Sequence, residues 1–153
     1  MGKESLKVYL GADHAGFELK EKIKEFLKNK KINYEDLGTG SEESVDYPDF
    51  AIKVGERVAK EKGAKGILVC GTGIGMTIAA NKIKGIRAAM VYDENTAKMS
   101  REHNDANVIC LRGRGFPGEK ALKLLWIWLN TGFSGDERHL RRIRKIEDFE
   151  NRH

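Results

Sequence analysis

The sequence predicts an α/β protein in which a parallel sheet is covered by helices on both faces. Two observations predict it: five short apolar runs recur along the chain, and segments of helical character separate them. A chain of 153 residues with 40% hydrophobic and 33% charged residues fits one globular domain. We therefore expect a single domain over residues 1–153, a three-layer Rossmann-like sandwich with a five-stranded parallel sheet.

The predicted elements alternate along the chain. The strands are the five apolar runs, at residues 6–10, 32–37, 65–70, 85–91 and 108–111. The helices cover residues 17–30, 49–61, a stretch from residue 76, 95–102, 118–130 and a last stretch from residue 136. Asp136 and Glu137 suit the start of the last helix, because carboxylates are favoured at the positive end of a helix dipole.

Residues 66–76 are the most informative stretch, because an apolar strand there runs into a three-glycine loop and then a helix start. The strand ends on Cys70. Backbone N–H groups at the start of a helix favour a thiolate and stabilise negative charge that develops during a reaction. The stretch therefore predicts a catalytic cysteine beside an oxyanion-binding loop. The other cysteine, Cys110, lies within an apolar strand and is predicted to be core packing.

Other polar residues are predicted to gather near Cys70. In open parallel sheets, ligands bind beyond the carboxyl ends of the strands. Asp13 and His14 follow the first strand, and we place His103 and Asn104, between the fourth helix and the fifth strand, at the same edge. If Asp13 and Cys70 share a site, the first and third strands must be neighbours, which predicts a sheet order beginning 2-1-3.

Composition disfavours several classes of protein. No apolar run reaches the roughly 18 residues of a membrane span, and residues 1–5 contain no apolar leader segment. Two cysteines make no disulfide framework, so we expect a cytoplasmic protein. Metal ligands could be assembled from His14, His103, Cys70 and Asp13, but no HxxxH, CxxC or HxE spacing supports a site, and we expect no metal.

The glycine loop has a second interpretation. Residues 71–76 begin like a dinucleotide-binding fingerprint, and Asp93 follows the next strand at about the spacing of a ribose-binding acid. Against this, Met76 occupies the place of the third glycine, and the loop follows the third strand rather than the first. A nucleotide-binding module stays the alternative from another class.

The C-terminal segment is strongly basic. The net charge is +5, and residues 138–145 hold five of the 28 lysines and arginines. On a helix, Arg138 and Arg142 lie one turn apart and offer a fork-like donor array for phosphate oxygens, while Ile143 and Ile146 lie on the opposite side. No element that would read base edges accompanies them, so we expect a phosphorylated small molecule rather than nucleic acid.

Taken together, these motifs resemble ribose-5-phosphate isomerase B, within a sugar-phosphate isomerase family that also includes allose-6-phosphate and galactose-6-phosphate isomerases. The resemblance runs from about residue 7 to residue 146 in the same order and spacing. The motifs that carry it lie at 11–17 (GADHAGF), 46–49 (DYPD), 70–76 (CGTGIGM), 79–82 (AANK), 101–105 (REHND) and 137–139 (ERH).

The resemblance implies interconversion of D-ribose 5-phosphate and D-ribulose 5-phosphate through an enediolate, a step of the pentose phosphate pathway, without metal or organic cofactor. It makes Cys70 the base that moves a proton between C2 and C1, and His103 the residue that assists ring opening. Asp13 would hold sugar hydroxyls, Asn104 would support the enediolate, and Tyr47 would line the sugar pocket. A six-carbon sugar phosphate such as allose 6-phosphate is the alternative substrate.

The resemblance also implies the remaining ligands. The loop residues expected to hold the enediolate oxygen are Gly71, Thr72, Gly73, Ile74 and Gly75. The expected phosphate ligands are His14, Arg114, Arg138 and Arg142, some of them from another subunit. Because the family is built as homodimers with shared sites, in some members doubled to tetramers, the basic helix and tail at 136–153 are expected to reach a partner subunit.

Overall fold

The computed structural model describes residues 6–153 and has the predicted alternation of strands and helices. The strands are β1 (Lys7–Ala12), β2 (Asn33–Asp36), β3 (Lys65–Cys70), β4 (Ala88–Met90) and β5 (Val108–Arg112). The helices are α1 (Phe17–Asn29), α2 (Tyr47–Lys60), α3 (Ile74–Ala80), α4 (Glu94–Glu102), α5 (Gly118–Leu129) and α6 (Glu137–Arg152). The expectation that no apolar leader precedes the first strand concerns residues 1–5, which lie outside the described part of the chain.

The strands form one parallel sheet in the order β2-β1-β3-β5-β4. The predicted beginning of the order, 2-1-3, is therefore confirmed. Ala12 pairs with Val69 at the end of the β1–β3 ladder, and the amide of Asp13 donates to the Val69 carbonyl oxygen across 3.2 Å. This register brings the residues that follow β1 beside Cys70.

Helices cover both faces of the sheet, which makes the predicted three layers. Side chains alternate between the faces along each strand. Val8 and Leu10 belong to the core under α1 and α5, whereas Tyr9 and Leu68 belong to the core under α2 and α3. Trp128 on α5 is fully buried in the first of these cores.

Several predicted boundaries differ from the structure by one or more residues; β1, for example, runs on to Ala12, and α2 begins at Tyr47 rather than at residue 49. The helix after the glycine loop begins at Ile74 rather than at residue 76, and β4 covers only three residues of the predicted run at 85–91. β4 is the edge strand and pairs with β5 alone, so the remaining residues of the run have no second neighbour to extend the ladder. No helix among residues 6–153 is long and apolar enough to span a bilayer.

Candidate active site

Cys70 ends β3 and lies at the mouth of the glycine loop. Its Sγ atom accepts a hydrogen bond from the amide of Gly73 at 3.2 Å. Gly73 has a φ of 82°, in the left-handed region that glycine adopts without strain. The Thr77 hydroxyl donates to the Gly73 carbonyl oxygen at 2.7 Å and fixes the loop to the first turn of α3. The loop is therefore a rigid support for the sulfur.

A cleft of about 420 Å³ opens over this loop at the carboxyl edge of the sheet. Its lining brings together most of the predicted site residues with a few apolar neighbours: Asp13, His14, Ala15, Tyr47, Cys70, Gly71, Thr72, Ile74, Gly75, Ile78 and Arg114. We call it the cysteine cleft. It places a carboxylate, an imidazole and a guanidinium around one thiol.

Asp13 and His14 are both held by backbone amides. The buried Asp13 carboxylate accepts a hydrogen bond from Gly16 N–H at 3.0 Å. A side chain at position 16 would collide with the Val69 carbonyl group, so the turn after β1 can close against β3 only with glycine. The Nδ1 atom of His14 accepts a hydrogen bond from the amide of Val45 at 3.2 Å.

Tyr47 and Arg114 form two other walls of the cysteine cleft. The Tyr47 ring packs so closely on Gly75 that a Cβ built there would lie 2.6 Å from ring carbons. The Arg114 amide donates to the Gly71 carbonyl oxygen at 3.2 Å, which ties the segment after β5 to the glycine loop. Both side chains thus reach the cleft from elements that contact the loop directly.

The prediction that His103 and Asn104 share this edge is wrong for a single chain. They lie between the end of α4 and the start of β5, and a segment that leads into a parallel strand lies at the amino edge of the sheet. The pairing confirms this, because the amide of Gly66, near the start of β3, donates to the Asn107 carbonyl oxygen at 2.8 Å. His103 and Asn104 are therefore at the opposite edge from Cys70.

His103 is instead stacked on His139 of α6, with ring centroids 4.1 Å apart and an interplanar angle of 17°. Burial lowers the pKa of His139 below its ordinary value, and the charges of His103, Arg138 and Arg142 lower it further. We call His103, Asn104, Arg138, His139 and Arg142 the basic cluster. The predicted site residues are thus divided between two places on the chain.

Arg101 joins the segment after α4 to the linker before α6, next to the basic cluster, a role that the sequence analysis did not assign. Its buried guanidinium donates to Asp105 Oδ1 at 2.8 Å and to the Ala106 carbonyl oxygen at 2.7 Å. It also donates to the Thr131 carbonyl oxygen at 3.0 Å, in the linker before α6. The place of Arg101 at the start of the 101–105 motif is the sequence feature that could have indicated this role.

α6 is amphipathic as expected, although its apolar side is only partly covered. Ile143 is buried, whereas Ile146 is 56% exposed. Glu150 accepts a hydrogen bond from the Gly85 amide at 2.9 Å, so the helix lies along the segment before β4. Arg138 and Arg142 are exposed.

The two cysteines have different environments. Cys70 is largely buried, with 4% of its surface exposed, but lines the cysteine cleft, while Cys110 is fully enclosed in the core, as predicted. Burial raises the pKa of the Cys110 thiol to about 12, despite an opposing contribution from Thr77. Cys110 is therefore a protonated packing residue.

The structure gives Asp93 a local role. Its carboxylate accepts a hydrogen bond from the Thr96 amide at 2.7 Å and caps α4 in a reciprocal capping box. The backbone hydrogen bond from Thr96 lowers the pKa of Asp93. A carboxylate occupied in this way is a poor ribose ligand, which weakens the nucleotide-binding interpretation. Among residues 6–153, no group of three or more His, Cys, Asp or Glu side chains is placed to hold a metal ion.

Comparison with known proteins gives one family. The family model described as Ribose/Galactose Isomerase matches residues 8–146. A putative sugar phosphate isomerase of Bacillus subtilis is 45% identical over 96% of this chain and 99% of its own length. The structure of Clostridium thermocellum ribose-5-phosphate isomerase B superposes with a TM-score of 0.92 at 46% identity, covering 95% of this chain and 98% of that one.

A second structure contains a sugar phosphate. Ribose-5-phosphate isomerase B from Mycoplasma genitalium, with bound ribulose-5-phosphate, has a TM-score of 0.92 and 43% identity, covering 96% of this chain and 97% of that one. The match therefore covers nearly all of both chains. The cysteine cleft, the sheet order and these similarities agree, and the chain belongs to the ribose/galactose isomerase family.

Proposed function

We propose that this protein interconverts D-ribose 5-phosphate and D-ribulose 5-phosphate, with Cys70 as the base. The observation that carries the proposal is the position of the Cys70 sulfur, which lies on the glycine loop within a cleft that also contains Asp13 and Arg114. A relative with the same fold is named for this reaction and contains its product. The Gly73 N–H donates to the Cys70 sulfur and holds it on the loop, next to the groups that line the cleft.

The reaction conserves electrons and needs only proton transfers. In the open-chain aldose, the thiolate removes the proton from C2, and the C2–H electron pair forms the enediolate with charge on O1. The thiol then returns the proton to C1, and the proton on O2 passes to O1, which leaves the ketose carbonyl at C2. A single base can serve both carbons because C1 and C2 are adjacent.

Glycine-loop amides stabilise the enediolate oxygen in this proposal. The amide of Gly73 is occupied by sulfur, and that of Ile74 donates to Thr72 Oγ1 at 3.2 Å. We therefore assign the oxyanion to the amides of Thr72 and Gly75, two cleft residues with Gly71 beside them. Asp13 holds sugar hydroxyls, and Tyr47 closes the side of the pocket. His14 and Arg114 bind the phosphate from within the same chain.

The basic cluster completes the site from a partner subunit. Because the cysteine cleft and the basic cluster lie at opposite edges of one sheet, one chain does not combine them. A two-fold dimer would join each cleft to the partner's cluster and make two equal sites. Apolar side chains stand exposed beside the cleft, with Ile74 at 51% and Ile78 at 58%, and offer a contact surface. His103 then assists ring opening, Asn104 supports the enediolate, and Arg138 and Arg142 bind phosphate.

In this proposal the protein is a homodimer, or a tetramer built from such dimers, and it works in the cytoplasm. Both cysteines are unpaired, which suits a reducing compartment. No cofactor or metal takes part in the proposed steps, and a membrane or nucleic acid has no role in them.

The direct test is conversion of D-ribose 5-phosphate by the purified protein in the presence of EDTA. We expect turnover in the wild type and a loss of about 10²–10⁴-fold in kcat for Cys70→Ala, the range of one acid–base group. Cys110→Ala is the matched control and retains turnover. Full activity in Cys70→Ala would refute the base, and activity only with allose 6-phosphate or galactose 6-phosphate would refute the five-carbon substrate.

A further inference from the structure

A backbone amide outside the cysteine cleft determines which nitrogen of His14 is available to a ligand. Val45 N–H donates to His14 Nδ1 at 3.2 Å. A nitrogen that accepts a hydrogen bond carries no proton, so the proton of the neutral ring must be on Nε2. With Nδ1 engaged, Nε2–H is the group that His14 can offer to the cleft that it lines.

The segment that carries this amide is attached along the end of β1. In the 37–46 segment, the Leu37 amide donates to Leu10 O at 2.8 Å and the Thr39 amide to Ala12 O at 2.7 Å. In return, the Ala12 amide donates to Gly38 O at 2.6 Å. These three bonds extend the pairing along β1 as far as Ala12, next to Asp13 and His14.

An ion pair between the buried Lys20 and the partly buried Asp36 anchors the beginning of the same segment. The Gly38 amide donates to Asp36 Oδ1 at 2.9 Å, and Asp36 Oδ2 lies 2.6 Å from the ammonium group of Lys20. The Lys20 side chain is fully buried, and Lys24 also contacts Asp36 at 3.0 Å. A buried lysine is costly unless it is paired, so Asp36 has little freedom to move.

We propose that Val45 is a positioning residue for the substrate phosphate, because its amide holds His14 as the neutral Nε2–H tautomer, and that the Lys20–Asp36 pair keeps the 37–46 segment in place for this task. An Nε2–H group donates to a phosphate oxygen, whereas the other tautomer would present a lone pair to an anion. This inference rests on the proposed function, since it assigns a geometry to one phosphate ligand of that site.

The tautomer can be observed directly in the wild-type protein. Long-range ¹H–¹⁵N correlation spectra separate a protonated ring nitrogen from an unprotonated one, and His14→Gln identifies the His14 signals by their loss. We expect a protonated Nε2 and an unprotonated Nδ1 in the folded protein. A protonated Nδ1 would overturn the inference, whatever the activity of the enzyme.

Val45→Pro removes the amide hydrogen, and Val45→Ala, which keeps it, is the matched control. We expect the proline variant to lose the single tautomer, with KM for D-ribose 5-phosphate and the dissociation constant of inorganic phosphate, measured by calorimetry, both rising about tenfold and kcat little changed. The alanine variant keeps the wild-type spectrum. An unchanged His14 spectrum in Val45→Pro, or a fall in kcat with constant KM, would contradict the positioning role.

Asp36→Asn tests the anchor from outside the cleft. In this variant we expect KM for D-ribose 5-phosphate to rise and the His14 spectrum to show both tautomers, while kcat is retained. A variant that is less stable yet keeps KM and the His14 spectrum would show that the ion pair is only structural. Because inorganic phosphate and the spectra need no turnover, a protein that fails to isomerise ribose 5-phosphate but passes these tests would refute the proposed function and leave this inference standing.

Discussion

The amide of Gly73 donates to the sulfur of Cys70 across 3.2 Å, from a backbone position with a φ of 82°. An alanine at position 73 has room for its Cβ, with the nearest atom at 3.4 Å, but strains the backbone. We expect Gly73→Ala to lower the free energy of unfolding by about 1 kcal/mol and to reduce kcat by at least tenfold through displacement of the N–H donor.

Gly63 supplies the control for that change. It has a φ of 84°, open space around it and a place in the exposed connection before β3. Gly63→Ala should therefore cost a similar free energy in urea unfolding while turnover stays normal. Equal activity in the two variants would show that the Gly73 amide does not contribute to catalysis.

The two cysteines should differ sharply toward an alkylating reagent. Burial raises the pKa of the Cys110 thiol to about 12, so it stays protonated at pH 8, and the side chain is fully buried. We expect iodoacetamide to modify Cys70 in the native protein, with loss of activity in step, and mass mapping to find Cys110 unmodified. Protection of Cys70 by ribose 5-phosphate would place the substrate over the thiol, and modification of Cys110 first would contradict this assignment.

Ionisation of the Asp36 carboxyl should make the free energy of unfolding depend on pH in the acid range. Its burial raises the pKa, but hydrogen bonds from Lys20, Gly38 and Lys24 outweigh that and hold the pKa below its ordinary value. A depressed carboxyl pKa contributes stability that is present above the unfolded value and is lost as pH falls through the folded value. Urea unfolding from pH 7 to pH 2 should show this loss, and Asp36→Asn should reduce it.

At pH 7, Asp36→Asn should lower the free energy of unfolding by about 2 kcal/mol, because it leaves Lys20 buried without its main charge partner. Glu18→Gln is the control, since Glu18 and Lys22 are 4.0 Å apart and both exposed, and it should change stability by no more than about 0.5 kcal/mol. A large effect in the control would mean that net charge, rather than burial, sets the cost.

Shared sites can be tested by mixing two inactive proteins. One carries Cys70→Ala, and the other carries Arg138→Ala together with Arg142→Ala. After subunit exchange at equal amounts, about half of the dimers are mixed, and each has one complete site, so about a quarter of wild-type activity should return. If each chain held its own complete site, mixing would restore nothing, and this outcome would refute the dimer proposal.

The arrangement around Cys70 could be predicted because each contributing residue follows a strand closely. Asp13, His14 and Cys70 are at the ends of β1 and β3, and parallel strands bring such ends to one edge. His103 precedes β5, and its placement was wrong because the same rule puts it at the other edge. Residues that come together only when two subunits associate cannot be recognised from their spacing or periodicity in one sequence.

Lys20 shows a different reason for incomplete prediction. Lysines are mostly exposed, and nothing within α1 marks this one as fully buried. Its burial depends on Asp36, which reaches it only after β2 has paired with β1. The hydrogen bond between Val45 and His14 joins residues 31 positions apart and likewise follows from the completed fold.

With the cysteine cleft and the basic cluster at opposite edges of one sheet, the proposed enzyme is built from halves. An isolated chain would stay folded and yet be almost inert, so specific activity should fall with dilution once the concentration drops below the dimer dissociation constant. A substitution far from both halves that merely loosens subunit contact would then imitate a catalytic defect in a dilute assay. At the concentrations of a living cell, the same substitution could be silent.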